Sequence, residues 1–598
     1  MSFSTMPGYR PGHVWVASRH SDRTRFTRRL GVLEQRFDIA SSNGGQSDTF
    51  VRLRLSLEAS GQGEEPRRRA TRVWLSRLLL AWTQLRGKHP LLDATIEDDP
   101  GSVVPGCPAR RFVYDQPTPS EAIRLAQNSF LVAQGEDLDR RMQEIQDSYI
   151  LNGERVLLDE KKCLARLVFV EPKSSPGELG FFLVISHVIS DGLSVFNLVK
   201  ELFEIASDPN HSSPTEPNTF LDFDNFLKGG EIVEAPSLSS ALQESWETTL
   251  PANEILAALP RSTEDHLPPL PLDSIPSQPP EQPVEAPLDS HAGPVVKNHT
   301  SVSAARSRWI WAITRTLILA RQRRFPHSLH IPRLTREVPP TRPKTKWEFL
   351  RFDKETSSKL FRFCKLNGQS PSMLLYSMLS LATANLFAAL HPSQPYHPIL
   401  VGFPFSARRF LEQSPSPSSD PSSDLAIRIT FGSIHLPNLP LDLEDNDPSV
   451  VRTAVLRSAK LAKRQFAHRL APAQVNRTVF LATADGLNID RLLLRYKQAQ
   501  PPWEDPKTCI NASMIGDVDR ILPTTFTCDT ASVKLSDLQI GTRLHLGEGN
   551  FNEGFTFDGM LQLSMGIDDQ FIDPEHIATI MNGVARMGKL IAEGETLL

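Results

Sequence analysis

The sequence predicts an α/β protein, because segments with the pattern of β-strands alternate with segments of helical spacing. Residues 50–57 alternate between apolar and polar side chains, as in a strand with one buried face. Residues 72–85 place their large apolar side chains on one helical face. Residues 180–187 form an apolar run of strand length, and apolar residues then recur at helical spacing over 195–203. A chain of this kind buries its sheets beneath helices.

The turn after residues 180–187 carries the strongest chemical signal. His187 comes at the end of the predicted strand, Asp191 lies four positions later, and Gly192 follows. An imidazole with an ordinary pKa near 6.5 is the usual general base at neutral pH. Asp191 can orient that imidazole, pair with an arginine or cap the next helix, and Gly192 allows a backbone conformation that other residues resist. The spacing alone leaves catalytic and structural roles for His187 equally open.

A second histidine and aspartate have the same spacing. His89 and Asp93 are separated by a proline and two leucines, and Ala94 replaces the glycine. Because proline restricts the backbone, we interpret this copy as a structural connection between the helix of residues 72–85 and a strand near residues 94–96.

Composition excludes several classes of protein. The net charge of -4 over 598 residues gives no sign of nucleic-acid binding. The 5 cysteines are widely spaced without a Cys-x-x-Cys pair, which argues against a disulfide framework or structural zinc and fits a reducing compartment. Neither a secretory signal nor a C-terminal peroxisomal signal is visible, so we expect a cytoplasmic protein. The basic, serine-rich leader is interpreted as a disordered leader or a transit peptide.

The middle of the chain changes character. Prolines cluster over residues 251–294, which predicts an extended linker. Residues 306–324 are basic and aromatic and are predicted to be helical. This segment fits contact with a membrane surface or an acidic ligand, and equally fits packing onto the protein. Residues 414–423 are a low-complexity loop of serine and proline.

The remaining segments complete the expected order of elements. Residues 373–390 lack charge but carry serine, threonine and asparagine, which predicts a buried core helix rather than a membrane span. We also predict another helix at 356–366 and a closing helix at 575–590. Further strands are predicted at residues 165–170, 347–352, 510–518 and 555–565, and residues 30–37 are predicted to be a strand or the entry to one. Residues 398–410 are predicted to be a buried strand that leads into a turn.

The order of these segments resembles the acyltransferase superfamily of chloramphenicol acetyltransferase, peptide-synthetase condensation domains, plant acyltransferases and fungal alcohol acyltransferases. The His187, Asp191 and Gly192 turn matches the superfamily motif, and it is the specific signal. Looser matches are the Lys-His-Pro-Leu-Leu segment at 88–92, the strand end at 404–408 and the Asn-Ala-Ser-Met-Ile-Gly segment at 511–516.

The resemblance implies two similar α/β (α+β) lobes with mixed sheets and a tunnel at their interface. The N-terminal lobe would span residues 1–205 and carry the histidine motif. The C-terminal lobe would span residues 346–598. Residues 206–345 would form a crossover that contains the proline-rich linker and the basic aromatic helix.

The resemblance also implies roles for individual residues. His187 would be the general base for an acceptor hydroxyl, and Asp191 would support it structurally by pairing with Arg408. Gly192 would support the turn. Asn511 and Ser513 would contact the oxyanion or the acceptor.

Departures from the family pattern narrow the expected function. Ser186 stands where condensation domains carry a second histidine, no carrier domain follows, and the Asp-Phe-Gly-Trp-Gly loop of the plant branch is absent from the sequence. We therefore expect a stand-alone, fungal-type O-acyltransferase that uses acyl-CoA as co-substrate and needs no cofactor or metal. Its acceptor would be a hydroxyl of a secondary metabolite, a glycolipid or an alcohol, and we expect a monomer. The alternatives are a condensation-type enzyme that uses a carrier-protein thioester and a non-catalytic scaffold of the same fold.

Overall fold

The structure is a computed structural model that describes most of residues 15–594. The ranges outside the described residues within that span are 21–22, 43, 60, 62, 100–109, 209–231, 236–251, 264–265, 267–329, 335–343, 393–397, 412–422, 444–446, 471–508, 529–530 and 546–548. The predicted basic aromatic helix at 306–324 and nearly all of the serine-proline loop at 414–423 therefore lie outside the described residues, as does most of the expected crossover.

The described strands are numbered in chain order. They are β1 (Val16–His20), β2 (Arg23–Arg29), β3 (Thr49–Ala59), β4 (Thr95–Asp98), β5 (Arg110–Asp115), β6 (Phe130–Gly135), β7 (Ala165–Pro172), β8 (Glu178–Ile185), β9 (Val233–Glu234), β10 (Thr345–Arg351), β11 (Ile399–Ser406), β12 (Ile429–Leu436), β13 (Ile510–Asp517), β14 (Thr525–Cys528), β15 (Ala531–Thr542), β16 (Asn550–Phe557) and β17 (Met560–Asp568).

The described α-helices are numbered in the same way. They are α1 (Val32–Ser42), α2 (Glu64–Lys88), α3 (Pro119–Ser129), α4 (Leu138–Ile145), α5 (Gly192–Ser207), α6 (Ala252–Ala258), α7 (Lys354–Leu366), α8 (Pro371–Leu390), α9 (Pro448–Arg469) and α10 (Pro574–Glu593). Short 3-10 turns at Pro90–Leu92 and Arg408–Phe410 follow α2 and β11.

The strands form two mixed sheets and one antiparallel sheet, which correspond to two lobes. The N-terminal lobe contains a 7-stranded sheet of order β14-β15-β3-β8-β7-β6-β9 and a 4-stranded sheet of order β1-β2-β5-β4. The C-terminal lobe contains a 6-stranded sheet of order β10-β17-β16-β13-β11-β12. The two-lobed α/β architecture confirms the predicted fold class. Strands β14 and β15 belong to the C-terminal half of the chain, but β15 pairs with β3 of the N-terminal lobe and β14 pairs with β15. The boundaries of the sheets therefore differ from the expected sequence ranges of the lobes.

Most of the strands and helices near the histidine turn match the predictions. The alternating segment at 50–57 is strand β3, which pairs antiparallel with β8. Strands β7 and β8 are antiparallel neighbours, and α5 begins shortly after β8 as the periodicity predicted. Helix α2 buries Trp74 and Trp82 in the core that lies against this sheet. The core therefore holds β8 and α5 rigidly on either side of the turn.

The predicted strand at residues 30–37 is wrong, because helix α1 occupies this segment. Leu33 and Phe37 are one helical turn apart and pack together against Ile427 and Ile429 from the C-terminal half. Glu34 is buried and pairs with Arg28 at 2.7 Å. A short apolar run fits either type of element by periodicity, and here tertiary packing selects the helix.

Helix α8 is the core of the C-terminal lobe. Of the described helices, it is the one long and apolar enough to cross a membrane, but 78% of its most apolar stretch is buried inside the protein. Ser370 caps its first turn by accepting a hydrogen bond from the backbone N–H of Met373 at 3.3 Å. The helix packs against α9 and α10, as a core helix does.

In the predicted linker at 251–294, the described part begins with helix α6 and is not extended.

Candidate active site

His187 lies in a short turn between β8 and α5. The backbone of Ser186 still belongs to the sheet, because its N–H donates to the carbonyl of Leu164 at 2.8 Å. The Ser190 hydroxyl donates back to the Ser186 carbonyl at 3.0 Å, and the N–H of Ile189 donates to the same carbonyl at 3.2 Å. These bonds close the turn tightly. A side chain held between a buried strand and a buried helix has a fixed position, as a catalytic group requires.

Gly192 differs from the sequence-based expectation. Glycine allows a backbone conformation that other residues resist, but the φ of Gly192 is not in the left-handed region, so the turn does not use that freedom. A Cβ at this position would meet no atom within 4 Å. The absence of a side chain therefore leaves open space at the first turn of α5, beside the histidine turn.

Asp191 caps helix α5. Its Oδ1 accepts a hydrogen bond from the backbone N–H of Ser194 at 2.9 Å, and the Ser194 hydroxyl accepts one from the Asp191 N–H at 2.8 Å. This reciprocal arrangement satisfies two donors that a helix start would otherwise leave without partners. Asp191 therefore fixes the direction in which α5 leaves the turn.

The other carboxylate oxygen of Asp191 faces the C-terminal half of the chain. Oδ2 accepts hydrogen bonds from Nη2 of Arg408 at 2.9 Å and from the backbone N–H of Arg428 at 2.8 Å. Arg408 follows strand β11, and its guanidinium also donates to Asp424 Oδ1 at 2.9 Å. Arg428 pairs with the same Asp424 at 2.5 Å. The predicted partnership of Asp191 with Arg408 is present in the structure.

This network of two aspartates and two arginines is buried and balanced in charge. Burial alone would raise the pKa of Asp191, but the charge of Arg408 and the hydrogen bonds from Ser194 and Arg428 outweigh it and hold that pKa below its ordinary value. Burial opposes the charge of Arg408 as well, yet Asp191 and Asp424 raise the pKa of its guanidinium. Asp191 and Arg408 therefore depend on their neighbours to remain charged in a buried position.

Phe37 stacks on the imidazole of His187. The two ring centroids are 4.1 Å apart, and the ring planes are inclined by 19°. Phe37 lies on α1, whose apolar face also packs against Ile427 and Ile429. Elements from both halves of the chain thus fix the orientation of the histidine ring.

The imidazole of His187 is neutral at neutral pH. Burial lowers the pKa of His187, while its own backbone, the charge of Asp191 and the backbone of Ser190 act in the opposite direction without outweighing burial. Nδ1 of the imidazole is buried and has no hydrogen-bond partner among the described residues. A neutral imidazole retains the lone pair that a general base needs.

Asn511 and Ser513 lie on β13, as the sequence predicted. Asn511 is in parallel register with Gly402 of β11, and Ser513 is in register with Glu553 of β16. The Asn511 carbonyl accepts a hydrogen bond from Asn552 at 2.9 Å. No contact given by the structure joins Ser513 to His187, so the expected contacts of Asn511 and Ser513 with an oxyanion or an acceptor stay predictions.

The second histidine–aspartate pair has separate partners. His89 Nε2 lies 2.9 Å from Glu201 of α5, and Asp93 forms a buried ion pair with Arg86. His89 therefore ties α2 to α5, in agreement with the structural interpretation. Among the described residues, no group of histidine, cysteine, aspartate and glutamate side chains is arranged to hold a metal ion.

Phe37, Asp424 and Arg428 were not predicted from the sequence as part of the site. Phe37 was hidden in a segment assigned to a strand. Asp424 and Arg428 follow the serine-proline loop, where no periodic pattern marks them. Their spacing of four residues is the one available signal, and it is weak because it fits many surface ion pairs.

The fold and the site together define a two-lobed α/β protein whose histidine turn is braced by an arginine from the opposite half. No protein-family model matches the sequence, and no curated protein matches it. The chain is similar in structure to the TRI3 trichothecene 15-O-acetyltransferase from Fusarium sporotrichioides, with 12% identity, a TM-score of 0.66, and coverage of 99% of this chain and 100% of that one.

A second similarity is to the first condensation domain of the CDA synthetase, with 10% identity, a TM-score of 0.50, and coverage of 96% of this chain and 97% of that one. The chain therefore shares its fold with that acetyltransferase and that condensation domain, in agreement with the fold that the resemblance predicted.

Proposed function

We propose that this protein is an acyl-CoA-dependent O-acyltransferase that acylates a hydroxyl of a secondary metabolite, a glycolipid or an alcohol. The observation that carries the proposal is that Asp191 has a purely structural role in the histidine turn, whereas His187 is free to act as a base. Both carboxylate oxygens of Asp191 are occupied, by the cap of α5 and by Arg408 and Arg428. The imidazole of His187 is left neutral and positioned by Phe37. This arrangement supports proton abstraction rather than a proton relay.

The proposed reaction needs one proton transfer to the protein. Nε2 of His187 accepts the proton of the acceptor hydroxyl as its oxygen attacks the thioester carbonyl. Collapse of the tetrahedral intermediate forms the ester and expels the CoA thiolate, which receives the proton from the imidazolium. Ser513 and Asn511 are proposed to donate hydrogen bonds to the oxyanion. We propose that donor and acceptor meet in a tunnel between the lobes.

The experiment that tests the proposal measures CoA release and ester formation. Purified protein is incubated with acetyl-, butanoyl-, octanoyl- and palmitoyl-CoA and with a panel of cyclohexanol, geraniol, sorbitol and methyl glucoside, and products are identified by mass spectrometry. We expect His187→Ala to reduce transfer by about 100-fold or more, the usual contribution of a general base. His89→Gln is the matched control, since it retains a hydrogen-bonding group for Glu201. Normal turnover by His187→Ala would contradict the proposed base.

A second candidate is a condensation-type enzyme that takes its acyl group from a carrier-protein thioester. The likeness to a condensation domain supports this alternative. Comparing octanoyl-CoA with an octanoyl carrier protein distinguishes the two donors. Failure of both donors in the presence of every acceptor would instead favour a non-catalytic scaffold.

We also propose that the protein acts in the cytoplasm. Cys163, Cys364, Cys509 and Cys528 are buried free thiols, which supports a reducing compartment. Fluorescence microscopy of the tagged full chain tests this location.

A further inference from the structure

A row of polar side chains crosses three strands of the 6-stranded sheet. Ser513 on β13 is in register with Glu553 on β16, and Glu553 is in register with Ser564 on β17. Residues in register on adjacent strands lie about 5 Å apart and project from the same face of the sheet. Gln562 lies two positions before Ser564 and projects from this face too.

The row is on the face of the sheet that is turned away from the helices of the C-terminal lobe. The residues that alternate with it, including Ala512, Met514, Leu563 and Met565, belong to the core with α8 and α10. A Cβ at Gly554, next to Glu553, would collide with Met514 and Leu375 on that helical side. The opposite face therefore carries the polar row.

On its own face, the row is bordered by aromatic residues. Phe555 packs in the core cluster formed mainly by the N-terminal lobe, and Phe551 packs against the cluster that contains Phe50 and Trp347. Both lie two positions from Glu553 on the same strand. Glu553 thus occupies a buried position between apolar clusters, facing the N-terminal lobe.

Three polar atoms of this row have no partner among the described residues. Oε2 of Glu553, Oγ of Ser564 and Nε2 of Gln562 are buried and have no hydrogen-bond partner among the described residues. Glu553 is only 3% exposed and forms no ion pair with any described residue. Buried polar groups in folded proteins almost always have partners, so three unpartnered atoms on two adjacent strands need an explanation, and a bound ligand would supply one.

The chemistry of the row selects the kind of ligand. Burial raises the pKa of Glu553 to about 8, and the groups that face it from β13 and β17, Ser513, Ser564 and Gln562, are uncharged. At neutral pH its carboxyl is therefore protonated and can both donate and accept hydrogen bonds. A neutral hydroxyl matches this pattern, whereas an ammonium group would need the ionised carboxylate.

We propose that Glu553, Ser564 and Gln562 form the recognition site for the hydroxyl-bearing part of an uncharged acceptor. The inference rests on the proposed acyltransferase function and adds the class of acceptor and the residues that select it. Glu553 recognises the acceptor by hydrogen bonding and takes no part in the proton transfer assigned to His187.

The test compares Glu553→Gln and Ser564→Ala with the unmodified protein, using the alcohol from the panel that is acylated fastest and its amine analogue. We expect each variant to raise the KM for the alcohol by about tenfold, the effect of losing one buried hydrogen bond, with kcat changed less than threefold. The unmodified protein should prefer the alcohol to the amine at pH 7. Glu348→Gln is the matched control, because Glu348 lies on β10 of the same sheet and pairs with Lys346 at 3.1 Å.

A second measurement separates ligand recognition from a structural role. Because the folded carboxyl holds its proton to higher pH than the unfolded one, its contribution to stability is complete below about pH 4.5 and is lost as the pH rises towards 8. Glu553→Gln should therefore melt at a higher temperature than the unmodified protein at pH 8 while binding the alcohol more weakly. A lower melting temperature with an unchanged KM would overturn the inference.

Failure of the inference is distinguishable from failure of the proposed function. If His187→Ala abolishes acyl transfer but Glu553→Gln and Ser564→Ala leave the alcohol KM unchanged, the function stands and the recognition site is wrong. If no acyl-CoA is consumed, the proposed function fails. The recognition site is then tested separately, by measuring whether the same panel of alcohols raises the melting temperature of the protein. Thermal stabilisation that is lost in Glu553→Gln supports the site, and no stabilisation by any alcohol overturns it.

Discussion

Arg408 donates a hydrogen bond from Nη2 to Oδ2 of Asp191 across 2.9 Å, although 217 positions separate the two residues in the chain. Arg408 follows the end of β11 in one lobe, and Asp191 caps α5 in the other. The bond therefore holds the histidine turn against the second half of the protein. Since His187 is four residues before that cap, the ion pair sets the position of the proposed base without touching it.

Replacing Asp191 by asparagine should destabilise the protein by about 3–5 kcal/mol, the cost of leaving a buried ion without its partner. Asparagine retains the capping ability, so the loss reports on the bonds that Oδ2 accepts from Arg408 and from the Arg428 backbone N–H rather than on α5. Urea unfolding followed by circular dichroism measures this free energy. Asp573→Asn serves as the control, because Asp573 caps α10 through the backbone N–H of Glu575. Unchanged unfolding of Asp191→Asn would contradict the bracing role.

Removing both charges should cost less than the sum of the two single changes. In Asp191→Asn/Arg408→Gln neither ion is left alone, and Asp424 keeps its pairing with Arg428. A double-mutant cycle with the single variants should give a coupling free energy of about 1–3 kcal/mol. Additive effects would show that Asp191 and Arg408 contribute independently.

The acid limb of the pH–rate profile should lie below pH 6.5. Burial lowers the pKa of His187, so the imidazole stays neutral, and active as a base, to a lower pH than an ordinary histidine. Measuring kcat/KM from pH 4.5 to 9 locates the inflection. The charge of Asp191 raises the pKa of His187, so in the active fraction of Asp191→Asn the inflection should shift to lower pH. A midpoint above 6.5 would argue against a desolvated base.

Truncating Phe37 should reduce turnover more than it reduces stability. Its ring stacks on His187 with a centroid distance of 4.1 Å, an interaction worth about 0.5–1.5 kcal/mol beyond burial. Phe37→Leu retains apolar volume but loses the stack, and we expect a reduction of kcat by about tenfold. Phe37→Tyr, which retains the aromatic ring, should recover most of the rate. Steady-state kinetics and melting curves of both variants provide the comparison.

Gly192→Ala should leave the fold intact. The backbone conformation at this position is ordinary, a Cβ would meet nothing within 4 Å, and alanine favours helices over glycine by about 1 kcal/mol. We therefore expect a melting temperature that is equal or higher. A fall in the rate of acyl transfer without a fall in stability would indicate that substrate lies beside the first turn of α5. Marked destabilisation would instead support the structural role that the sequence suggested for Gly192.

Elements with a strong local pattern could be predicted from the sequence. The alternation in β3, the apolar run of β8 and the helical spacing of α5 each specify an element and its buried face. The segment that became α1 could not be assigned, because a short apolar run fits strand and helix equally. Its contact with Ile427 and Ile429 joins residues far apart in the chain and decides the outcome.

For the candidate site, the sequence by itself predicted His187, Asp191 and the helix that begins after them. These features could be predicted because they depend on neighbours within a few positions. Only the tertiary structure placed Phe37 on the imidazole, completed the network with Asp424 and Arg428, and set Glu553 beside Ser564. Such relationships depend on which strands pair and which faces meet, and long-range packing fixes these rather than local sequence periodicity.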